Sequence, residues 1–287
     1  MKRAHFLASA AASTSVAMLP AQARAASPGY DLQTSSGTLF GTLQLPNDGR
    51  SAVPVVLIFS GSGPTDRDGN SPMLGGKNDA LKLLAQGLAT KGLASVRFDK
   101  RGIAASAAAM ESESTLRFDG YADDGVAWVA KLRSDARFGK VVLAGHSEGA
   151  LVATRVARVI PVDGLAALSG AGRRASVILR EQLRPKLPPD LYRRADTILR
   201  ALEAGQTVQD VPPELAALFR VSVQPYLISW IAYDPAVEFG AVTAARAIVR
   251  GTADVQVSAA DADALAKAAP SAHLVIVQGM NHVLKHA

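Results

Sequence analysis

The residues best suited to chemistry are Gly145-His146-Ser147-Glu148-Gly149. The apolar run Val141-Val142-Leu143-Ala144 precedes them and an Ala/Val-rich helical pattern follows. This is G-x-S-x-G in the strand–turn–helix context that makes the motif meaningful. A serine raised on so sharp a turn sits in strained backbone, so the residues two positions either side must be small. Gly145 and Gly149 meet that need. The reading puts the Ser147 hydroxyl at a helix N-terminus, with the Glu148 amide N–H aimed where an oxyanion would form. Neighbours at such a turn diverge, so His146 is expected to pack beside it and Glu148 to act through its backbone.

The elements that must position this serine alternate in type. Tyr30–Ser35 and Leu39–Leu45 read as a hairpin around Ser36-Gly37, and Val53–Phe59 as a strand buried on both faces. Asp79–Lys91 is an amphipathic helix closed by Gly92, and Leu93–Phe98 a strand. Asp119–Leu132 is a helix with Val126, Val129 and Ala130 on one face. After the serine come the strand Gly164–Leu168, the strand Ala247–Val249, the helix Ala259–Ala268 and the strand Leu274–Val277. This alternation predicts a mostly parallel sheet with helices on both faces. Ala171–Gly240 breaks the rhythm. It predicts short helices at about 173–184, 190–204 and 213–231, punctuated by Pro185, Pro188-Pro189 and Pro212-Pro213.

Residues 1–25 fall outside this pattern. Lys2 and Arg3 precede an Ala-rich apolar stretch, and Ala21-Gln22-Ala23 and Ala23-Arg24-Ala25 are cleavage candidates, which together predict an export signal. The apolar part is too short for a lasting membrane span. Loss of Lys2, Arg3 and Arg24 lowers the formal charge from +6 to +3. No basic stripe with interleaved aromatics points to nucleic acid. The chain has no Cys, which excludes disulfides and thiolate metal sites.

From Tyr30 to the C-terminus the chain resembles the α/β-hydrolase superfamily, with Ser147 at the nucleophile position. The resemblance implies an eight-stranded, mostly parallel sheet, with core segments 26–172 and 241–287 around a helical lid at 173–240. Family order is serine, acid, histidine. Ile248-Val249-Arg250-Gly251-Thr252-Ala253-Asp254 resembles the acid segment and places the acid at Asp254, with Asp261 and Asp263 as alternatives. Gln278-Gly279-Met280-Asn281-His282 resembles the base segment and places the base at His282, with His286 as the alternative, while His273 starts a strand and is expected to point away. Ser60-Gly61-Ser62-Gly63 stands where the family has its oxyanion loop, which assigns the second donor to the Ser62 N–H, or else to that of Gly63. Ser60 replaces a histidine that often braces this loop. Asp66, Arg67 and Asp68 read either as an ion-paired brace or as a solvated turn. Arg97-Phe98-Asp99-Lys100-Arg101-Gly102 resembles a further family segment that organises a loop.

The resemblance implies an exported, periplasmic or secreted serine hydrolase acting on small-molecule carboxylic esters of small to medium acyl chains. The same groups would serve a peptidase or thioesterase, because amides and thioesters also pass through a tetrahedral oxyanion. A non-catalytic binding protein on the same scaffold is the third reading. Nothing in the sequence calls for a cofactor or a metal. The lid arginines Arg173, Arg174, Arg180, Arg184, Arg193 and Arg194 are expected on solvated faces. Phe219, Tyr226, Trp230 and Tyr233 are expected in core packing ahead of pocket lining. The sequence stops five residues after His282, where relatives place another helix. From this follow expectations of marginal stability, self-association and a loosely held His282.

Overall fold

A computed structural model of the chain describes residues 28–47, 49–50, 52–72 and 76–286. The expected export signal at 1–25 lies outside them. The described residues form a mostly parallel sheet flanked by helices.

The order in the main sheet is β3 (Gly41–Gln44), β5 (Ala94–Phe98), β4 (Val53–Phe59), β6 (Phe138–His146), β7 (Gly164–Leu168), β8 (Ala245–Gly251) and β9 (His273–Val277). Only β3 runs antiparallel to its neighbour. The chain leaves β4 for β5 on one side through helix α1 (Ala80–Thr90). It then crosses back through α2 (Phe118–Arg133) to β6 on the other side. The order therefore reverses between β4 and β6, the place at which open α/β sheets generally bind their ligands.

The main sheet has seven strands among the described residues, not the expected eight. The opening hairpin pairs with itself, as β1 (Leu32–Thr34) with β2 (Gly37–Leu39), in a separate two-stranded sheet. The ladder breaks at Phe40, whose N–H donates to Ser106 Oγ at 2.9 Å instead of to a strand. Only the segment after it, β3, joins the main sheet.

Burial follows the strand period. In β4, Val55, Leu57 and Phe59 enter the large core under α2 and α3 (Glu148–Val159), while Val56 and Ile58 meet Leu81 and Ala85 of α1. The buried stripe of α2 is Phe118, Tyr121, Ala122, Gly125, Trp128, Val129 and Leu132. Val126 is only half-buried and Ala130 is exposed, contrary to expectation. The bulky Phe118, Trp128 and Leu132 bury far more apolar area than an alanine can, and they set the helix's rotation.

The interval after β7 is helical: α4 (Ala175–Leu183), α5 (Pro189–Glu203), α6 (Ala216–Phe219), α7 (Gln224–Ile231) and α8 (Pro235–Gly240). The single helix expected over 213–231 is broken. Pro225 lacks an N–H and cannot sit inside a helix, so α7 restarts with this proline in its first turn. Phe219, Tyr226, Leu227 and Ile231 belong to the same large core as Phe118. Of the arginines expected on solvated faces, Arg174, Arg193 and Arg194 are half exposed or more, though ion-paired, whereas Arg173 and Arg180 are largely covered and bound to carboxylates. Helix α9 (Ala259–Ala268) follows β8. No helix among the described residues is long and apolar enough to cross a membrane.

Candidate active site

The site is assembled at the carboxyl ends of β4, β6, β8 and β9. Ser147 caps α3 with φ 54° and ψ −121°, left-handed backbone that L-residues rarely adopt. The turn closes only because its flanks lack side chains. A Cβ on Gly145 would come within 2.1 Å of the Gly149 oxygen, and one on Gly149 within 2.6 Å of the Phe59 and Ser60 oxygens.

Three of the expected residues lie in one hydrogen-bonded line. His282 Nε2 is 3.1 Å from Ser147 Oγ, and His282 Nδ1 is 2.9 Å from Asp254 Oδ2 and 3.1 Å from Oδ1. Because Nδ1 faces a carboxylate it carries the proton. The Nε2 lone pair is thereby left toward the serine hydroxyl, the arrangement a base needs. Asp254 is buried and accepts N–H groups from Gln256 at 2.9 Å and Val257 at 3.0 Å. Burial pushes its carboxyl up. The His282 hydrogen bond and charge and these two N–H donors outweigh that and hold it below its ordinary 3.8.

The alternatives are occupied elsewhere. Asp261 closes a capping box with Ser258 and binds Arg173 at 2.8 Å. Asp263 and His273 are exposed. His286 forms a bridge with Met280, which helps to close the turn that carries His282. That turn is tied down further. Asn281 N–H donates to the Lys285 oxygen at 2.8 Å, and Ala253 N–H to the Met280 oxygen at 3.0 Å, which joins the Asp254 and His282 loops. His282 is buried and well anchored, contrary to the expected looseness.

His146 does more than pack. Its Nε2 is 2.7 Å from the backbone oxygen of His282, so this nitrogen carries a proton and donates. Burial, reinforced by the His282 charge, pulls its ring from 6.5 down to about 4 and keeps it neutral. The sequence signal for this partnership was a polar ring at the inner end of a buried strand, where it requires a hydrogen-bond partner.

The side on which the oxyanion donors were expected is built from the β4 and β6 loops. Among the described residues neither the Ser62 nor the Glu148 N–H has a protein acceptor. Gly61 lies against Ser147: a Cβ there would sit 3.3 Å from the Ser147 Cβ. Thr65 Oγ1 donates to the Ser62 oxygen at 2.8 Å, and Ser60 Oγ to the Thr65 oxygen at 3.2 Å. Of the two readings for the following acidic loop, Arg67 and Asp68 follow the ion-paired brace, whereas Asp66 closes the turn by accepting the Asp68 and Asn70 N–H groups. Arg67 binds Asp99 at 2.8 Å, and Asp68 binds Arg97 at 2.8 Å. In place of the histidine absent at Ser60, Lys100 Nζ donates to the Gly61 oxygen at 2.6 Å. The Glu148 side chain is also engaged, with Lys100 at 3.4 Å and the Tyr226 hydroxyl at 2.5 Å. Burial first, then the Glu148 charge, raise the Tyr226 phenol well above its ordinary 10.0, so it stays a donor. A surface cavity of about 440 Å³, lined by Pro64, Asp66, Asn70, Lys77 and Ile103 among others, does not include Ser147.

A serine on a strained strand–helix turn at a topological switch point, with an imidazole and a carboxylate in line, is the arrangement expected of an α/β-hydrolase site. The chain belongs to the alpha/beta hydrolase family, whose model matches residues 79–286. A curated relative, Esterase EstD of Thermotoga maritima, is 24% identical over 248 residues. These residues are 85% of this chain but only 57% of that protein. Among solved structures, Est1E from Butyrivibrio proteoclasticus superposes with a TM-score of 0.62 at 18% identity, covering 90% of this chain and 91% of its own. XC6422 from Xanthomonas campestris, described as an α/β serine hydrolase without lid, gives 0.54 at 19% identity over 91% and 87% of the two chains. At these identities the structural likenesses establish the fold alone.

Proposed function

We propose that this chain is a serine hydrolase that cleaves carboxylic esters of small to medium acyl chains through an acyl-Ser147 intermediate. The observation that carries the reading is the line Asp254–His282–Ser147, closed at 2.9 Å and 3.1 Å on a strained elbow. The relationship to EstD supports the ester as substrate class.

Attack by the serine hydroxyl on the ester carbonyl needs removal of its proton, which the neutral His282 Nε2 takes. Asp254 holds Nδ1–H and stabilises the imidazolium. The Ser62 and Glu148 N–H groups stabilise the oxyanion. His282 then protonates the departing alcohol, and a water activated by the same nitrogen releases the acid. The helical interval 173–240 acts as a lid over the strand ends, and residues 1–25 direct export.

The test is a fluorophosphonate probe combined with a panel of p-nitrophenyl esters, aminoacyl anilides and acyl-thioesters. The wild-type protein is expected to label at Ser147 and to turn over short esters fastest. Ser147→Ala is expected to lose labelling and at least about 10⁴-fold in kcat with an unchanged melting temperature. An unlabelled wild type would leave the scaffold reading. Preference for anilides or thioesters would move the substrate class within the same mechanism.

A further inference from the structure

Lys100, Glu148 and Tyr226 are 5%, 4% and 8% exposed, and they form a buried polar chain beside the proposed nucleophile. It runs from the Tyr226 hydroxyl on α7 to one Glu148 oxygen at 2.5 Å. The other Glu148 oxygen faces the Lys100 ammonium at 3.4 Å, and Lys100 donates to the Gly61 carbonyl at 2.6 Å. The ammonium also lies 5.1 Å from the centre of the Tyr121 ring. Three elements distant in sequence thus converge on one peptide group.

That peptide group is the one that matters for the oxyanion. The Gly61 C=O and the Ser62 N–H belong to a single planar trans unit, in which the two point to opposite sides. An ammonium fixed on the carbonyl side dictates where the N–H points. It also draws electron density toward the carbonyl oxygen and so makes the N–H a better donor. A buried ammonium–carboxylate pair contributes little net stability, and a well-packed apolar pair of similar volume often serves the fold as well or better. The group held by this pair is a carbonyl whose own peptide carries the oxyanion donor.

We infer that Lys100, held by Glu148 and through it by Tyr226 of the helical interval, is a positioning residue that aims the Ser62 N–H at the oxyanion. The inference rests on the reading of Ser147 as nucleophile. It gives the Glu148 side chain a role separate from that of its backbone N–H. It also makes the helical interval a support for the oxyanion loop as well as a cover. The geometry needed for transition-state stabilisation is then complete only when α7 is docked.

The test compares Lys100→Met/Glu148→Gln with wild type on p-nitrophenyl acetate, with Ser147→Ala alongside. The double variant removes both charges together, so no lone buried charge is left to unfold the protein. Its melting temperature is expected to stay near wild type, its KM to change by less than about threefold, and its kcat to fall about 10²-fold, the usual cost of one oxyanion donor. Its fluorophosphonate labelling should slow by a similar factor. A folded double variant that keeps a third or more of wild-type kcat overturns the positioning role, because a pair serving stability alone would be replaceable. Should the double variant fail to fold, Tyr226→Phe carries the test. It is expected to lower kcat several-fold at constant KM, whereas a rise in KM with kcat unchanged would make Tyr226 a substrate contact and overturn the link to α7. If wild type is no more active than Ser147→Ala, the nucleophile reading fails. If hydrolysis depends on Ser147 but not on Lys100, only the present inference fails.

Discussion

Asp254 and Asp261 show how little residue type decides by itself. Both are buried aspartates on the same stretch, and both have carboxyls held below the ordinary value against the effect of burial. They differ in what they face. Asp254 meets the Nδ1 of His282, whereas Asp261 meets Arg173, the Gly172 N–H and its own helix cap. Asp254→Asn is therefore expected to cut kcat by about 10³–10⁴-fold, because an amide favours the wrong histidine tautomer. Asp261→Asn should leave kcat near wild type and lower unfolding stability by about 1–2 kcal/mol, the scale of a lost helix cap. Steady-state kinetics and urea melts on the two variants check this. A crippling Asp261→Asn with a mild Asp254→Asn would exchange their roles.

At the scale of elements, the helical interval is tied into the body of the protein. Phe118 of α2 is fully buried and packs against Tyr226, Trp230 and Tyr233 at ring separations of 6.2, 6.5 and 5.7 Å. The Tyr233 hydroxyl adds a hydrogen bond of 2.5 Å to Asp119. Excision of 173–235 with a short bridge would uncover this cluster, so the shortened protein is expected to be insoluble on expression. Phe118→Ala probes the same junction without excision. It should cost about 3–5 kcal/mol in a urea melt, the range for deleting a buried aromatic. A loss below about 1 kcal/mol would mean that the interval docks elsewhere.

For the whole molecule, acid is the sensitive direction. His146, which faces His282 and Asp254, titrates at about 4 in the folded state against 6.5 in its ordinary state. Between those values the unfolded chain binds a proton that the native protein refuses. Stability is therefore fully present above pH 6.5 and is lost as pH falls toward 4, by a total on the order of 3 kcal/mol. His146→Gln keeps a donor for the His282 oxygen but cannot titrate. Urea midpoints from pH 7 to 4 should fall less steeply in this variant than in wild type, and parallel curves would contradict the assignment. A second property belongs to the sheet edge. Leu274 and Ile276, one face of β9, are 37% and 57% exposed. Association through that face is proposed, with Ile276→Lys expected to shift sedimentation velocity profiles toward monomer. Unchanged profiles would place any association elsewhere.

How much of this was legible in the linear chain depended on the range of each interaction. The Ser147 elbow, the both-faces burial of Val53–Phe59, the strand Gly164–Leu168 and the helix Ala259–Ala268 follow from local spacing, and local spacing determines local backbone. The pairing of Asp254 and His282 with Ser147 was available only through resemblance, because no periodicity relates residues more than a hundred positions apart. The tertiary structure alone decided that the opening hairpin would stay outside the main sheet, with the ladder breaking at Phe40, whose N–H donates to Ser106. It alone decided the rotation of α2, where large side chains sought the deepest contacts. And it alone joined Lys100, Glu148 and Tyr226, because a buried charge takes whichever partners the fold brings within reach, and the chain order of those partners carries no record of the choice.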